Sequence, residues 1–151
     1  SDLNSRLRTF LWFKPGQLDE ALDFYQRTFG DVVVQGVNRP DPAGPIFTAD
    51  FAIFGHEFIG MAVDGGPDFN DSISLSVECD GQAETDRLWD ALTESGEPGQ
   101  CGWCKDRFGL TWQVSPRQMR DWLEHPDPAT AEYAWAALRD MTKIVIADLH
   151  R

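Results

Sequence analysis

Two of the three cysteines have the spacing best suited to chemistry, in the stretch Cys101-Gly102-Trp103-Cys104. Redox dithiols and half of a zinc knuckle share this C-x-x-C spacing. A redox dithiol normally sits at a helix N-terminus that lowers the thiol pKa, whereas this pair enters a predicted strand. A structural zinc needs a second pair of ligands, which Cys79 alone cannot supply. The pattern therefore favours structural thiols that behave as small apolar residues.

The histidines and serines give no catalytic constellation. His56 lies in a predicted hairpin turn, His125 is next to Pro126, and His150 is near the end of the sequence, so no pair has ligand or triad spacing. A Gly-x-Ser-x-Gly motif is absent from the sequence. The sequence therefore predicts no catalytic residue.

Composition narrows the class of protein. The 151 residues include 25 Asp and Glu against 13 Lys and Arg, a formal net charge of −12, which disfavours nucleic acid as a partner. An apolar content of 42% is too high for a disordered chain. No apolar run approaches the length of a membrane helix, and Ser1–Arg6 lacks the apolar core of a signal peptide. We expect a soluble, cytoplasmic protein with one domain over residues 1–151 and no membrane partner.

The first part of the chain predicts a strand, a helix and three further strands. Arg8–Phe13 is a short aromatic run that ends at a turn, and a helix with apolar residues at helical spacing begins at Leu18. The β-branched and apolar runs that follow predict strands at Asp31–Val37, Ile46–Phe54 and Glu57–Val63. This first module spans about residues 7–66.

The same order begins again after the break Asp64-Gly65-Gly66-Pro67, at an offset of 65 residues. The second module, about residues 70–115, is shorter in its middle. Its predicted elements are strand Ser72–Val77, helix Ala83–Glu94, and strands Gly102–Lys105 and Leu110–Val114.

A helical extension is predicted over about residues 116–151. Ser115 and Pro116 suggest a helix start, and Asp127-Pro128 repeats the pattern, which gives helices to about Glu124 and Asp140. Lys143–Ile146 is β-branched and predicts one last strand.

The order of elements, with Asp19–Tyr25 on the first helix, resembles the vicinal oxygen chelate superfamily, which includes glyoxalase I, ring-cleaving dioxygenases and bleomycin resistance proteins. The resemblance covers roughly Leu7 to Leu149. It implies an α+β fold in which two βαβββ modules form a curved mixed sheet. Further motifs look like the PhnB-like branch, often called 3-demethylubiquinone-9 3-methyltransferase: Trp89-Asp90-Ala91-Leu92, Gly99-Gln100-Cys101-Gly102-Trp103, Lys105-Asp106-Arg107-Phe108-Gly109 and Trp112-Gln113-Val114.

The methyltransferase name is not supported by the sequence. A protein that binds S-adenosylmethionine usually presents a Gly-rich strand-to-helix loop on an α/β sheet. Here Gly65-Gly66 is followed by Pro67 and a polar loop rather than by a predicted helix.

The resemblance also implies metal ligands, usually His or Glu, on the first and last strand of each module. The implied positions carry Phe10, Leu75 and Gln113, and the strand Phe58–Val63 has no carboxylate or imidazole. A divalent ion loses bound water when it enters a protein site, and a neutral amide oxygen replaces that water poorly. We therefore expect no high-affinity metal and no other cofactor.

Aromatic side chains on the implied cavity strands are the remaining candidates, because indole joins a large apolar face to one hydrogen-bond donor. The alternatives are an ordinary core for the aromatic residues, and a turn or surface ion pair for Lys105 and Asp106. The predicted ligand-binding residues are Phe10, Trp12, Met61, Trp103, Lys105, Asp106, Trp112 and Gln113.

We therefore expect a PhnB-like protein that binds a small molecule in an aromatic-lined cavity without a catalytic metal. The first alternative is a metal-dependent lyase, isomerase or dioxygenase that borrows ligands from loops, a second subunit or His56. The second alternative is a scaffold protein.

Bleomycin resistance proteins bind a basic drug between two subunits, and the charge of −12 could likewise favour cationic ligands. A homodimer is expected because the extension carries aromatic and apolar residues able to cover another subunit: Trp122, Tyr133, Trp135 and Leu138.

Overall fold

The computed structural model describes residues 5–151, which form two compact units, with the division between Phe69 and Asn70. The predicted absence of a signal peptide concerns an N-terminal stretch of which residues 1–4 lie outside the described part. Among the helices of residues 5–151, none is long and apolar enough to cross a membrane.

The first unit contains the predicted βαβββ order. Its strands hydrogen-bond in the order β1-β4-β3-β2, with β1 parallel to β4 and the other neighbours antiparallel. The elements are β1 (Thr9–Phe13), α1 (Gln17–Phe29), β2 (Val32–Asn38), β3 (Thr48–Ile53) and β4 (His56–Ala62).

Helix α1 covers one face of the first sheet. Its apolar stripe is buried, and Leu11 and Phe13 of β1 are buried on the same side. The close approach explains Gly60 in β4, where a Cβ atom would lie only 2.8 Å from Leu18 Cδ1. Side chains that alternate with these on β1 and β4 face away from α1.

The second unit repeats this order with a shorter middle, as predicted. Its strands hydrogen-bond in the order β5-β8-β7-β6, and β5 is parallel to β8. The two-residue strand β6 lies between the predicted helix Ala83–Glu94 and the predicted strand Gly102–Lys105, where no strand was predicted. The elements are β5 (Leu75–Cys79), α2 (Gln82–Thr93), β6 (Glu97–Pro98), β7 (Trp103–Lys105) and β8 (Thr111–Pro116).

The extension forms α3 (Met119–Leu123), α4 (Pro128–Arg139) and a 3-10 helix at Ile146–Leu149. The predicted start of α4 is confirmed, because the Asp127 side chain accepts a hydrogen bond from Thr130 N and Pro128 is the first helical residue. These helices pack around a small core, with Ala134, Met141, Ile144 and Leu149 at its centre.

The predicted helix start at Ser115-Pro116 is wrong. Both residues belong to β8, where Pro116 is the partner of Cys79 in the parallel pair. Arg117 N then donates to Cys79 O at 2.9 Å and prolongs the contact. Pairing with β5 therefore holds Ser115 and Pro116 in extended backbone, and α3 begins at Met119.

The predicted strand at Lys143–Ile146 is also wrong. The amide side chain of Gln82, on α2, donates to Ile144 O and accepts from Ile146 N, at 2.9 and 2.8 Å. One side chain thus satisfies two backbone groups that a neighbouring strand would otherwise pair. Lys143 lies in a bend, Val145 is extended, and Ile146 is already the first residue of the 3-10 helix.

Candidate functional site

The side chains of β7 and β8 that face away from α2 form an open face on the second sheet. Trp103 is the strand partner of Gln113, and Lys105 is the partner of Thr111. Because successive side chains point to opposite sides of a strand, these four residues share one face. We call it the open face of the second sheet.

Ser74 organises the centre of this open face. Its Oγ accepts hydrogen bonds from Gln113 Nε2 at 2.8 Å and from Trp103 Nε1 at 3.3 Å. These two contacts orient the carboxamide and the indole before any ligand arrives. Ser74 was not among the predicted site residues, although the alternation of Ser72, Ser74 and Ser76 predicts an outward-facing polar row.

A pocket of about 480 Å3 lies at the edge of the open face, and we call it the Trp103 pocket. Asp71 Oδ1 lies 3.3 Å from Lys105 Nζ and accepts a hydrogen bond from Thr111 Oγ1 at 3.2 Å. Trp103 is 43% exposed, so much of its indole is available for contact. Two carboxylates against one ammonium give the lining a negative balance, and it consists of Asp71, Glu97, Pro98, Gly99, Gln100, Trp103, Cys104, Lys105 and Thr111.

Asp106 and Trp112, also predicted ligand-binding residues, lie inside the second unit. Each is 2% exposed, and Trp112 Nε1 donates to Asp106 Oδ2 at 2.9 Å. Asp106 Oδ1 also accepts from Phe108 N and Leu110 N, at 2.9 and 3.1 Å. This carboxylate stabilises the turn between β7 and β8. The turn places Lys105 and Thr111 opposite each other on the two strands.

The remaining predicted residues, Phe10, Trp12 and Met61, lie on the first sheet. Phe10 and Trp12 are 42% and 38% exposed, and their ring centroids are 5.3 Å apart. Met61 is the strand partner of Trp12 and is half-buried. The loop at Gly66 lies close to this group, because a Cβ atom there would be 3.4 Å from Trp12 Cε3. The first unit thus presents an apolar patch of its own.

The metal positions implied by the family resemblance do not carry suitable donors. Phe10 faces away from α1, and the outward side chains of β4 are Glu57, Ile59 and Met61, so this face offers a single carboxylate. The Gln113 carboxamide is neutral and already donates to Ser74. Within residues 5–151, no group of three or more His, Cys, Asp or Glu side chains could hold a metal ion. The donor set therefore does not fit a divalent ion at this place.

The metal position implied on β5 corresponds to Ser76 rather than to Leu75. The strands β1 and β5 have identical burial patterns at an offset of 66 residues, whereas the helices follow the offset of 65. Leu75 is the partner of buried Trp112, so it faces α2. The residue of β5 that corresponds to Phe10 is Ser76, which is exposed and carries only a neutral hydroxyl.

The loop considered for S-adenosylmethionine also lacks the required geometry. After Gly65-Gly66 and Pro67, the next regular element of the described chain is strand β5 rather than a helix. No helix N-terminus therefore follows the two glycines to hold a charged cofactor.

Two of the three thiols, those of Cys79 and Cys104, are buried in environments that suppress ionisation. Burial raises the pKa of Cys79 to about 11 and that of Cys104 to about 12, and the Asp106 carboxylate adds to the effect at Cys104. Cys101 Sγ donates to Leu138 O at 3.2 Å. Buried thiols with raised pKa values are poor nucleophiles and poor metal ligands, which favours a structural role.

Comparison with protein families identifies the first three quarters of the chain. Residues 5–115 match the family model described as 3-demethylubiquinone-9 3-methyltransferase. The chain belongs to this PhnB-like family. The match includes both modules and ends before α3, so the helical extension of this PhnB-like chain lies outside it.

Solved structures of other proteins are similar in fold to this chain. The PhnB protein of Bacillus cereus is 26% identical, with a TM-score of 0.66, and the match covers 74% of this chain and 99% of that one. Protein PA1353 of Pseudomonas aeruginosa is 22% identical, with a TM-score of 0.57 and coverage of 73% and 98%. The fosfomycin resistance protein FosX of Listeria monocytogenes, solved with Mn(II) and sulfate, is 14% identical, with a TM-score of 0.51 and coverage of 74% and 90%.

These likenesses confirm the predicted glyoxalase-like fold of the vicinal oxygen chelate superfamily for this PhnB-like chain. A search of the curated proteins finds no match. The family description names a methyltransferase, but neither that reaction nor a ligand follows from the fold alone.

Proposed function

We propose that this PhnB-like protein binds a small organic molecule in the Trp103 pocket without a catalytic metal. The observation that carries the proposal is the half-exposed indole of Trp103, which Ser74 holds in place at the edge of a pocket of about 480 Å3. Pockets of this volume are typical of sites for small ligands. A fixed aromatic face can stack on a flat apolar group with little loss of side-chain entropy.

The charges of the pocket indicate which ligand would fit. Asp71 and Glu97 give the lining two carboxylates, whereas Lys105 supplies one ammonium group, already 3.3 Å from Asp71. A ligand with an aromatic ring and a cationic amine would place the ring on Trp103 and the amine near Glu97. A cation over an indole face gains further attraction. The proposed ligand class is therefore an arylalkylamine, which joins an aromatic ring to an amine that is protonated at neutral pH.

Replacing Trp103 with alanine is expected to weaken binding of such a ligand by about tenfold, because stacking and cation–π contacts contribute about 1 to 2 kcal/mol. The measurement is a thermal unfolding screen of arylalkylamines after exhaustive chelation, followed by titration of the compounds that raise the midpoint. The matched control is Phe47→Ala, because Phe47 is an aromatic residue that is 37% exposed and lies in the loop between β2 and β3, outside the pocket.

Two results would contradict the proposal. If Trp103→Ala and Phe47→Ala weaken binding equally, the ligand does not depend on the Trp103 pocket. If Zn, Ni, Mn, Mg or Fe(II) raises the unfolding midpoint and Gln113→Ala removes that effect, a metal-dependent enzyme becomes the better hypothesis. A ligand at 100 times its Kd adds about 2.7 kcal/mol to stability, so either effect is measurable.

We also propose that the chain forms a homodimer, because aromatic side chains remain exposed on both units. Phe10, Trp12 and Trp135 are each more than one third exposed, and a second copy would remove them from water. Sedimentation velocity should give about 34 kDa, twice the 17.0 kDa of one chain. A single species at the monomer mass across the micromolar range would overturn this prediction.

A further inference from the structure

The helical extension holds a second cavity, of about 340 Å3, which we call the extension cavity. It lies beyond residue 115, outside the part of the chain that matches the family model. The side chains that line it combine aromatic rings with cationic and hydroxyl groups, and include Trp122, His125, Thr130, Tyr133, His150 and Arg151. We infer that this cavity binds a small oxyanion, the phosphate group of a phosphorylated small molecule.

The lining of the extension cavity includes an arginine and no acidic side chain. The whole chain has a formal net charge of −12, yet none of the residues that line the extension cavity is an Asp or Glu. The Arg151 guanidinium supplies a permanent positive charge and His125 supplies a ring N–H donor, whereas His150 Nδ1 lies 3.4 Å from Arg151 O. Guanidinium groups match the geometry of phosphate oxygens, and charge-assisted hydrogen bonds are stronger than neutral ones.

The hydrogen bonding of His125 separates an anion from a metal ion. Asp127 N donates to His125 Nδ1 at 3.0 Å, so the neutral imidazole carries its hydrogen on Nε2. A nitrogen that carries hydrogen cannot coordinate a metal, but it can donate to a phosphate oxygen. Asp127 itself does not line the cavity, because its carboxylate caps α4 and accepts from Thr130 N and Oγ1.

Ring contacts hold the donors in place. The His125 and His150 rings lie nearly parallel to the Trp122 indole, at 6° and 20°, with centroid distances of 6.1 and 4.2 Å. The Arg151 guanidinium lies over the Tyr133 ring, with its central carbon 4.6 Å from the centroid. Groups fixed in this way lose little conformational entropy when an anion binds, which favours affinity.

The test is isothermal titration calorimetry with inorganic phosphate and with phenyl phosphate, at constant ionic strength and with any affinity tag at the N-terminal end. Saturable binding is expected, and Arg151→Gln and His125→Ala should each weaken it about tenfold or more. The control Arg27→Gln removes an exposed arginine of α1, paired with Asp23, and should leave binding unchanged. Circular dichroism checks that each variant is folded.

Several outcomes would overturn the inference. These are the absence of saturable binding for both probes, equal loss in the Arg27→Gln control, or unchanged binding in Arg151→Gln. Stabilisation by Zn or Ni alone that His125→Ala abolishes would indicate a metal site instead. Trp103→Ala should leave phosphate binding intact, so failure of the proposed function and failure of this inference can be told apart.

Discussion

Replacing Asp106 with asparagine is expected to destabilise the protein by about 3 kcal/mol, because the buried carboxylate accepts three hydrogen bonds from within the chain. Two come from the backbone of Phe108 and Leu110, and the third comes from the indole of Trp112. Asparagine has a single acceptor oxygen, so its NH2 group would face a donor, most simply Trp112 Nε1. A buried donor that faces another donor carries the full desolvation cost.

Urea unfolding of a double-mutant cycle tests this prediction. The variants are Asp106→Asn, Trp112→Phe and the pair together, with Asp90→Asn as an exposed control on α2 that should change stability by less than about 0.5 kcal/mol. Trp112→Phe removes the opposing indole donor, so it should cost less in the Asp106→Asn background than in the native protein. Strictly additive effects would show that the carboxylate and the indole do not act as a pair.

The order of strands and helices could be predicted from the sequence because local signals agree with the final structure. The apolar stripe of α1 and the Asp127-Pro128 start of α4 each specify an element without help from distant residues. Sequence reasoning was also correct that the second module is shorter in its middle, since β6 has only two residues.

The two wrong elements depend on partners far away in the sequence. Pro116 is extended because it pairs with Cys79, although Ser115-Pro116 by itself is typical of a helix start. Ile144 and Ile146 have strand-forming side chains, but the Gln82 amide, more than sixty residues earlier, takes their backbone hydrogen bonds. Tertiary contacts override local propensity in both cases.

The candidate site shows a similar division. Trp112 and Gln113 are neighbours on β8, and neighbours on a strand point to opposite faces, so only one of them can lie on the open face of the second sheet. Gln113 is the one that lies there, hydrogen-bonded to Ser74, while Trp112 is buried with Asp106. The family motif predicted the correct strand for the site, β8. It could not indicate the register of β8 with β7 or the hydrogen bonds that Ser74 accepts.

Gly102 lies between the two cysteines of the C-x-x-C stretch, and the structure gives it a purely conformational role. Its φ of +86° lies in the left-handed region that glycine favours. Its N–H donates to Thr142 O and its carbonyl accepts from Val114 N, both at 2.8 Å. A Cβ atom here would also lie 2.8 Å from Val114 O and from Ile144 Cδ1. Backbone strain and crowding therefore act together at this position.

Gly102→Ala is expected to destabilise the protein by about 3 kcal/mol, about 1 kcal/mol from the positive φ and the rest from crowding against the Val114 backbone and Ile144. Gly109→Ala is the matched control, because Gly109 has a φ of +87° but no atom within 4 Å of its Cβ position. The Gly109→Ala variant should lose only about 1 kcal/mol of stability, which is the cost of the positive φ. Urea unfolding measures both variants. Equal losses would show that Ile144 and the Val114 backbone give way freely, and that the extension is not packed tightly against Gly102.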